Sequence, residues 1–208
     1  MNFLAHLYLS GNSPDNSVLI GNFIADFIKG NQFEQYNDGI IKGIRLHRAI
    51  DTFTDAHSIV SESKKRLYPN YHKFAGVIVD IFYDHFLAIN WSAYSAIPLH
   101  EFADKVYGTL LHSKIDLPKG VQEMLPYMIS SNWLVSYSTV NGIEKILAQM
   151  SRRVKHTKIN MELSVPQLKR EYLLFEKEFK SFFPEIIKHV EEHLTPPPLH
   201  RFKNTQIP

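Results

Sequence analysis

No cysteine occurs among the 208 residues, so disulfides and thiolate ligands are excluded and any metal must be held by imidazole, carboxylate or neutral oxygen. Nowhere do about eighteen apolar residues run together, and the start MNFLAHLYLSGN has no basic leader before its short apolar stretch. The expectation is a cytoplasmic protein without membrane insertion. A formal net charge of only +2 lacks the field of a dedicated nucleic-acid binder, so no nucleic-acid partner is expected. Also missing are the G-x-x-x-x-G-K-S/T phosphate loop, the G-x-G-x-x-G nucleotide fingerprint and the H-E-x-x-H metalloprotease pair.

What is present favours a packed helical protein. Apolar residues make up 44% and aromatics 12%, with fourteen Phe and ten Tyr, enough for one sizeable core. No internal repeat or long linker divides the chain. One domain over residues 1–194 is expected, followed by an exposed or loosely docked tail, TPPPLHRFKNTQIP (195–208), whose prolines prevent helical bonding. From Ser151 onward eleven Lys/Arg stand against seven Glu and no Asp, a local surplus suited to an acidic partner or to a solvated helix face.

Apolar spacing near 3.6 predicts a short first element over Met1–Leu9, then a helix through VLIGNFIADFIKG stopped at Gly30. A helix from Asp38 through Val60 follows, with a break at Pro69. KFAGVIVDIFYDHFLAINW reads as a buried helix, and LHEFADKVYGTLLHSKIDLP as another ending near Ser113. Pro126 implies a kink or a helix start, Asn141-Gly142 a separation, Ser164 a cap, and Pro184 a kink or a new helix. The fold class is all-α, a single helical array.

Polar residues set into these apolar helices exceed background. Asn22 and Asp26 are spaced to share a face; His47, Asp51 and Asp55 form a row four apart; Asp80 and Asp84 repeat the device, with His85 adjacent. Burying one bare carboxylate costs several kcal/mol, and clustering several adds repulsion. A divalent cation resolves that conflict, which points to metal-dependent phosphoester hydrolysis. His6 or His85 would serve as phosphate electrophile or acid. Lys29, Arg48, Arg152 and Arg153 are candidates for phosphate or acidic-partner contact, and Lys64, Lys65 and Arg66 for docking. Two other readings stay open. One is a nucleotide or cyclic-nucleotide phosphohydrolase, with Trp91, Trp133 or a tyrosine stacking on the base; the other is a non-enzymatic helical adaptor for an acidic protein.

The ordered set MNFLAHLYLS, GNFIADFIKG, GIRLHRAIDTFTD, VDIFYDHFL and the SRR near residue 151 resembles the acyl carrier protein phosphodiesterase family, and the likeness runs from the first residue to about Phe183. The resemblance implies hydrolysis of the phosphodiester that joins 4′-phosphopantetheine to a serine of holo-acyl carrier protein. It further implies a divalent metal, commonly Mn2+, with Mg2+, Fe2+ or Co2+ as alternatives, and a helical fold related to the HD phosphohydrolases. Carried onto this chain, the family's recurrent positions are His6, Asn22, Asp26, His47, Asp51, Asp55, Asp80, Asp84 and His85, with Arg152 and Arg153 as its basic pair. The expected roles are a metal held by Asp26, His47, Asp51 and Asp84; catalysis by His6, Asp51, Asp55, Asp80 and His85; and substrate contact from Asn22, Lys29, Arg48, Arg152 and Arg153. The HD pattern has an adjacent His-Asp pair, whereas here Asp84-His85 is reversed and His47 is separated from Asp51, so the standard HD ligand roles do not transfer one by one. Oligomeric state is left open.

Overall fold

A computed structural model describes residues 1–11, 16–154 and 159–194; the expected proline-rich tail lies outside them. Every regular element among the described residues is helical, so the all-α expectation holds. The helices are α1 (Phe3–Leu9), α2 (Ser17–Ile24), α3 (Asp38–Ala56), α4 (Ser58–Tyr71), α5 (Ala75–Ile89) and α6 (Leu99–Leu111). They continue as α7 (Lys119–Ser130), α8 (Trp133–Ser136), α9 (Val140–Arg153), α10 (Val165–Arg170) and α11 (Tyr172–Leu194). None is long and apolar enough to cross a membrane.

α5 is the central rod. Ile78, Ile81, Phe82, Tyr83 and Phe86 are fully buried along it, and α11 meets it with Phe175, Phe179, Phe182 and Phe183. The rings interlock edge to face, Phe82 with Phe175 at 5.4 Å and Tyr83 with Phe179 at 5.8 Å. Each such side chain stabilises the fold by about 1.5–3 kcal/mol when removed from water, so the α5–α11 seam forms a stiff wall behind the polar groups.

Two glycines set the other key contact. α2 and α3 cross backbone to backbone: a Cβ on Gly21 would lie 2.2 Å from the Ile40 carbonyl oxygen, and one on Gly43 would lie 2.2 Å from that of Val18. Any side chain there would drive the helices apart. The closeness lets a ring on α3 reach the main chain of α2, and it places Asn22 beside His47.

Several boundaries differ from those expected. The α2 helix stops at Ile24 and tightens into a 3-10 turn, Ala25–Phe27, after which Ile28 is extended; the stop therefore precedes Gly30. The helix expected over 38–60 is broken at His57, whose ring nitrogen accepts from the Ile59 amide and so starts α4. Pro69 does not break α4. Its ring is exposed near the end of the helix, where the carbonyl it leaves unpaired can meet water, and the chain turns only at His72, with φ +46°. Pro126 and Pro184 lie inside continuous helices. Asn141-Gly142 sits within the first turn of α9, because Thr139 caps that helix by accepting from the Gly142 amide at 3.0 Å. Ser164 makes no cap bond; its hydroxyl donates to the Met161 carbonyl.

Candidate active site

Asn22 organises the polar centre. It is fully buried on α2, and its amide nitrogen donates to the His6 carbonyl at 2.8 Å and to the Ser10 hydroxyl at 3.0 Å. A carbonyl only accepts, so the other end of the amide must be the oxygen. That oxygen lies 3.0 Å from Nδ1 of His6 and 3.0 Å from Nδ1 of His47, and His47 Nδ1 is also 2.9 Å from the Asn22 carbonyl. Both rings therefore donate from Nδ1, and both turn Nε2 outward. This is how metal-binding histidines are commonly held. The two rings are stacked, with centroids 4.0 Å apart.

Carboxylates face the two Nε2 atoms. His6 Nε2 is 3.1 Å from one oxygen of Asp51, and His47 Nε2 is 3.1 Å from the other oxygen and 3.1 Å from Asp26. The i,i+4 spacing of His47 and Asp51 on α3 supplies one edge. The 3-10 turn after α2 swings Asp26 over the other. Burial opposes charge on His47, but Asp26 and Asp51 outweigh it and push the imidazolium up to about 9. For Asp51 burial likewise disfavours the charged form, yet His47 and His6 hold the carboxyl far below its usual range. Asp26 is lowered by its bond to His47. His6 is lowered, chiefly by burial. Its Nδ1 is engaged by Asn22 and its Nε2 faces the Asp51 carboxylate at 3.1 Å, an arrangement that a positive centre between them would stabilise.

One ligand atom each from His6, His47 and Asp51 lies within 4.8 Å of the others. Contraction by a few tenths of an ångström brings such atoms to the span of two metal–ligand bonds of ~2.0–2.2 Å. The donor set, two imidazoles and a carboxylate, suits a first-row divalent ion. A cavity of about 110 Å³ opens on the two imidazoles and Asp26, lined also by Met1, Asn22 and Met150 among others.

The structure does not bring every expected residue into this cluster. Asp84 is fully buried, and its two oxygens are taken by the amides of Asn2 (3.3 Å), Leu4 (2.7 Å) and Ala5 (3.3 Å) at the start of α1. Burial pushes it up to about 7, against the pull of the Met1 ammonium and those amides. Asp80 pairs with the Met1 ammonium at 3.0 Å. That buried cation also lies in the field of Asp51 and Asp84, and apolar sequence patterning gives no sign of it. His85 donates from Nδ1 to the Tyr137 carbonyl at 2.7 Å and accepts the Tyr172 hydroxyl at 2.8 Å, tying α5 to α11. Asp55 points outward, 76% exposed and bonded to Lys64. Asn22 has its donors and its side-chain oxygen engaged inside the protein, so it positions histidines.

The basic candidates also separate. Arg48 donates to the Gly30 carbonyl at 2.7 Å and lies over Phe33, 4.8 Å from the ring centre. Lys64, Lys65 and Arg66 each pair with an acid. Lys29, Arg152 and Arg153 are exposed and make no ion pair among the described residues; Arg153 stacks on Trp133 at 5.6 Å. Neither tryptophan offers an open face to a base. Trp91 is buried beside Tyr8 and Phe102, and Trp133 is buried between Phe3 and Arg153.

Comparison with known proteins finds similar chains along most of the length. The chain is 32% identical over 198 residues to a protein of Photorhabdus laumondii named acyl carrier protein phosphodiesterase, covering 92% of this chain and 96% of that one. Proteins of the same name from Pectobacterium atrosepticum (31% over 190 residues; 90% and 96% covered) and Klebsiella pneumoniae (32% over 192 residues; 92% and 98% covered) are similar. No solved structure matches. The family model described as acyl carrier protein phosphodiesterase matches residues 1–186, which take in His6, His47 and Asp51, and the chain belongs to that family.

Proposed function

We propose that this chain hydrolyses the phosphodiester between 4′-phosphopantetheine and the serine of holo-acyl carrier protein, releasing 4′-phosphopantetheine and apo-carrier. The observation that carries the reading is the convergence of His6, His47 and Asp51, with both imidazoles and Asp26 lining a cavity of about 110 Å³, in a chain of this family. These three residues hold a divalent cation, with Mn2+ preferred and Mg2+, Fe2+ and Co2+ as the alternatives. When bound, the ion supplies positive charge to a nonbridging phosphate oxygen and acidifies water.

The chain's own groups do the rest. Asn22 holds both rings in the tautomer that frees Nε2. Asp26, 61% exposed at its side chain, has one oxygen clear of His47 and takes the proton from the attacking water. Water adds its oxygen to phosphorus, the bond from phosphorus to the serine oxygen breaks, and that oxygen leaves as the serine hydroxyl by taking up the proton that Asp26 received, carried to it through solvent. Asp80 and Asp84 act at one remove by fixing Met1 and the start of α1, which presents His6. Arg152 and Arg153, the unpaired basic pair, receive the acidic carrier and set its approach rate.

The test supplies metal-free protein with each cation and holo-carrier, then follows apo-carrier and 4′-phosphopantetheine by mass. Both products should form with Mn2+, and Asp51→Asn should abolish turnover while carrier binding falls only modestly. Absence of both products across Mn2+, Mg2+, Fe2+ and Co2+ would overturn the reading.

A further inference from the structure

A second cavity, about 360 Å³, lies along α8 and α9 and is lined by Ser131, Trp133, Asn141, Lys145, Ile146 and Gln149 among others. Its size falls within the roughly 300–1,000 Å³ of small-molecule sites. Two features join it to the polar centre. Trp133 forms part of its wall and on its other side meets Phe3, 6.4 Å between ring centres, and Phe3 lines the smaller cavity at His6 and His47. Met150, which follows Gln149 on α9, lines that smaller cavity too. From Asn141 to Met150 the helix rises about 13 Å, so one helix runs from the groove to the site.

The polar side chains of the lining are free to meet a ligand. The indole N–H of Trp133 has no hydrogen-bond acceptor among the described residues and is not one of the buried unpaired polar atoms, so it reaches solvent. The side chains of Asn141, Lys145 and Gln149 likewise make no hydrogen bond or ion pair among the described residues. Amides of this kind pair with amides. Beyond its phosphate, 4′-phosphopantetheine consists of a gem-dimethyl group, a hydroxyl, two amides and a thiol in a flexible line. Asn141 and Gln149 match the amides and hydroxyl, and Ile146 with the edge of Trp133 that forms part of the wall matches the dimethyl group.

We infer that the α8/α9 groove is the subsite for the pantetheine arm, running outward from the phosphate held at His6, His47 and Asp51. This rests on the proposed function. The groove would let the enzyme recognise what is attached to the phosphorus.

The test titrates Mn2+-loaded protein with 4′-phosphopantetheine and, separately, with inorganic phosphate, by calorimetry. Wild type should bind 4′-phosphopantetheine at least tenfold more tightly than phosphate. Gln149→Trp, which fills the groove from a half-buried helix position, should erase that advantage and leave phosphate affinity within twofold. The double variant Asn141→Ala/Lys145→Ala, at exposed positions, should reduce it at least threefold. Equal affinities in wild type, no binding of 4′-phosphopantetheine, or an advantage retained in both variants would overturn the subsite. Holo-carrier turnover is measured in parallel. Apo-carrier formed without a pantetheine advantage sinks the groove alone; a pantetheine advantage without apo-carrier sinks the proposed reaction alone.

Discussion

Replacing Asn22 by leucine keeps the volume of a fully buried side chain and removes its polar ends. Four side-chain bonds of 2.8–3.0 Å disappear, to His6 Nδ1, His47 Nδ1, the His6 carbonyl and the Ser10 hydroxyl. Not all the partners are orphaned. The His6 carbonyl still receives the Ser10 hydroxyl, and His47 Nδ1 still has the Asn22 carbonyl. His6 Nδ1 alone is left buried without an acceptor, which costs ~1–3 kcal/mol, and the lost bonds add about 1 kcal/mol more. The metal-free protein should therefore lose roughly 2–4 kcal/mol, a fall in Tm of about 4–16 °C for a chain of this length. Because His6 can now rotate or take the other tautomer, Mn2+ affinity should drop about 10–100-fold. Calorimetry gives the Tm, and the electron paramagnetic resonance signal of free Mn2+ gives the affinity. Asn22→Asp, which keeps an acceptor for both rings, should recover affinity but not full stability. A leucine variant that binds Mn2+ as tightly as wild type would refute the claim that Asn22 sets the ligands.

Further outcomes follow from the same geometry. Asp55→Ala removes only an exposed pair with Lys64, so stability should change by no more than about 0.5 kcal/mol and turnover by less than twofold; a large loss of turnover would place Asp55 in the reaction. Asp84→Ala strips three buried amides of their acceptor and should destabilise by roughly 3–5 kcal/mol in a urea titration, so a loss under about 1 kcal/mol would contradict its capping role. In metal-free protein His47, raised to about 9, keeps its proton when the unfolded imidazole, near its ordinary 6.5, has lost it. Its stabilisation is thus complete below pH 6.5 and lost as pH rises through 9. The Met1 ammonium, also raised, acts in the same sense above pH 8. His6 and Asp84 shift with their effects below about pH 7, so a falling Tm between pH 7 and 9 that flattens in His47→Gln is the expected signature, and an unchanged slope in that variant would refute it. Mn2+ binding at pH 7 should correspondingly release about one proton, read as a dependence of the binding heat on buffer.

The helices and half of the centre were legible because both obey the helical period. His47 and Asp51 stand four apart on α3, and the spacing alone puts them on one face. His6 stands alone on its helix, and only the tertiary stacking on His47 brings it into the centre. Asp80 and Asp84 share the same i,i+4 signature and were read the same way, yet their carboxylates serve the ammonium and amides at the start of the chain. A spacing rule shows that two carboxylates share a face and is silent on what the facing element presents to them. Asp26 was placed on the right side for an imperfect reason, since a 3-10 turn rather than a continuing helix brings it to His47. Pro69, Pro126 and Pro184 are tolerated within helices on exposed positions, where the carbonyl that loses its partner can meet water.

The clamp of Asp84 on α1 has a bearing on how the protein is made. A seven-residue helix is far too short to persist alone in water, and the carboxylate that satisfies the Leu4 amide lies 80 positions later in the chain. During synthesis, His6 emerges first but cannot be seated until α5 has left the ribosome, whereas α2 and α3 can already cross. The polar centre is therefore completed late, by its earliest-made side chain, and a nascent chain halted before residue 84 would present His47 and Asp51 without a seated His6.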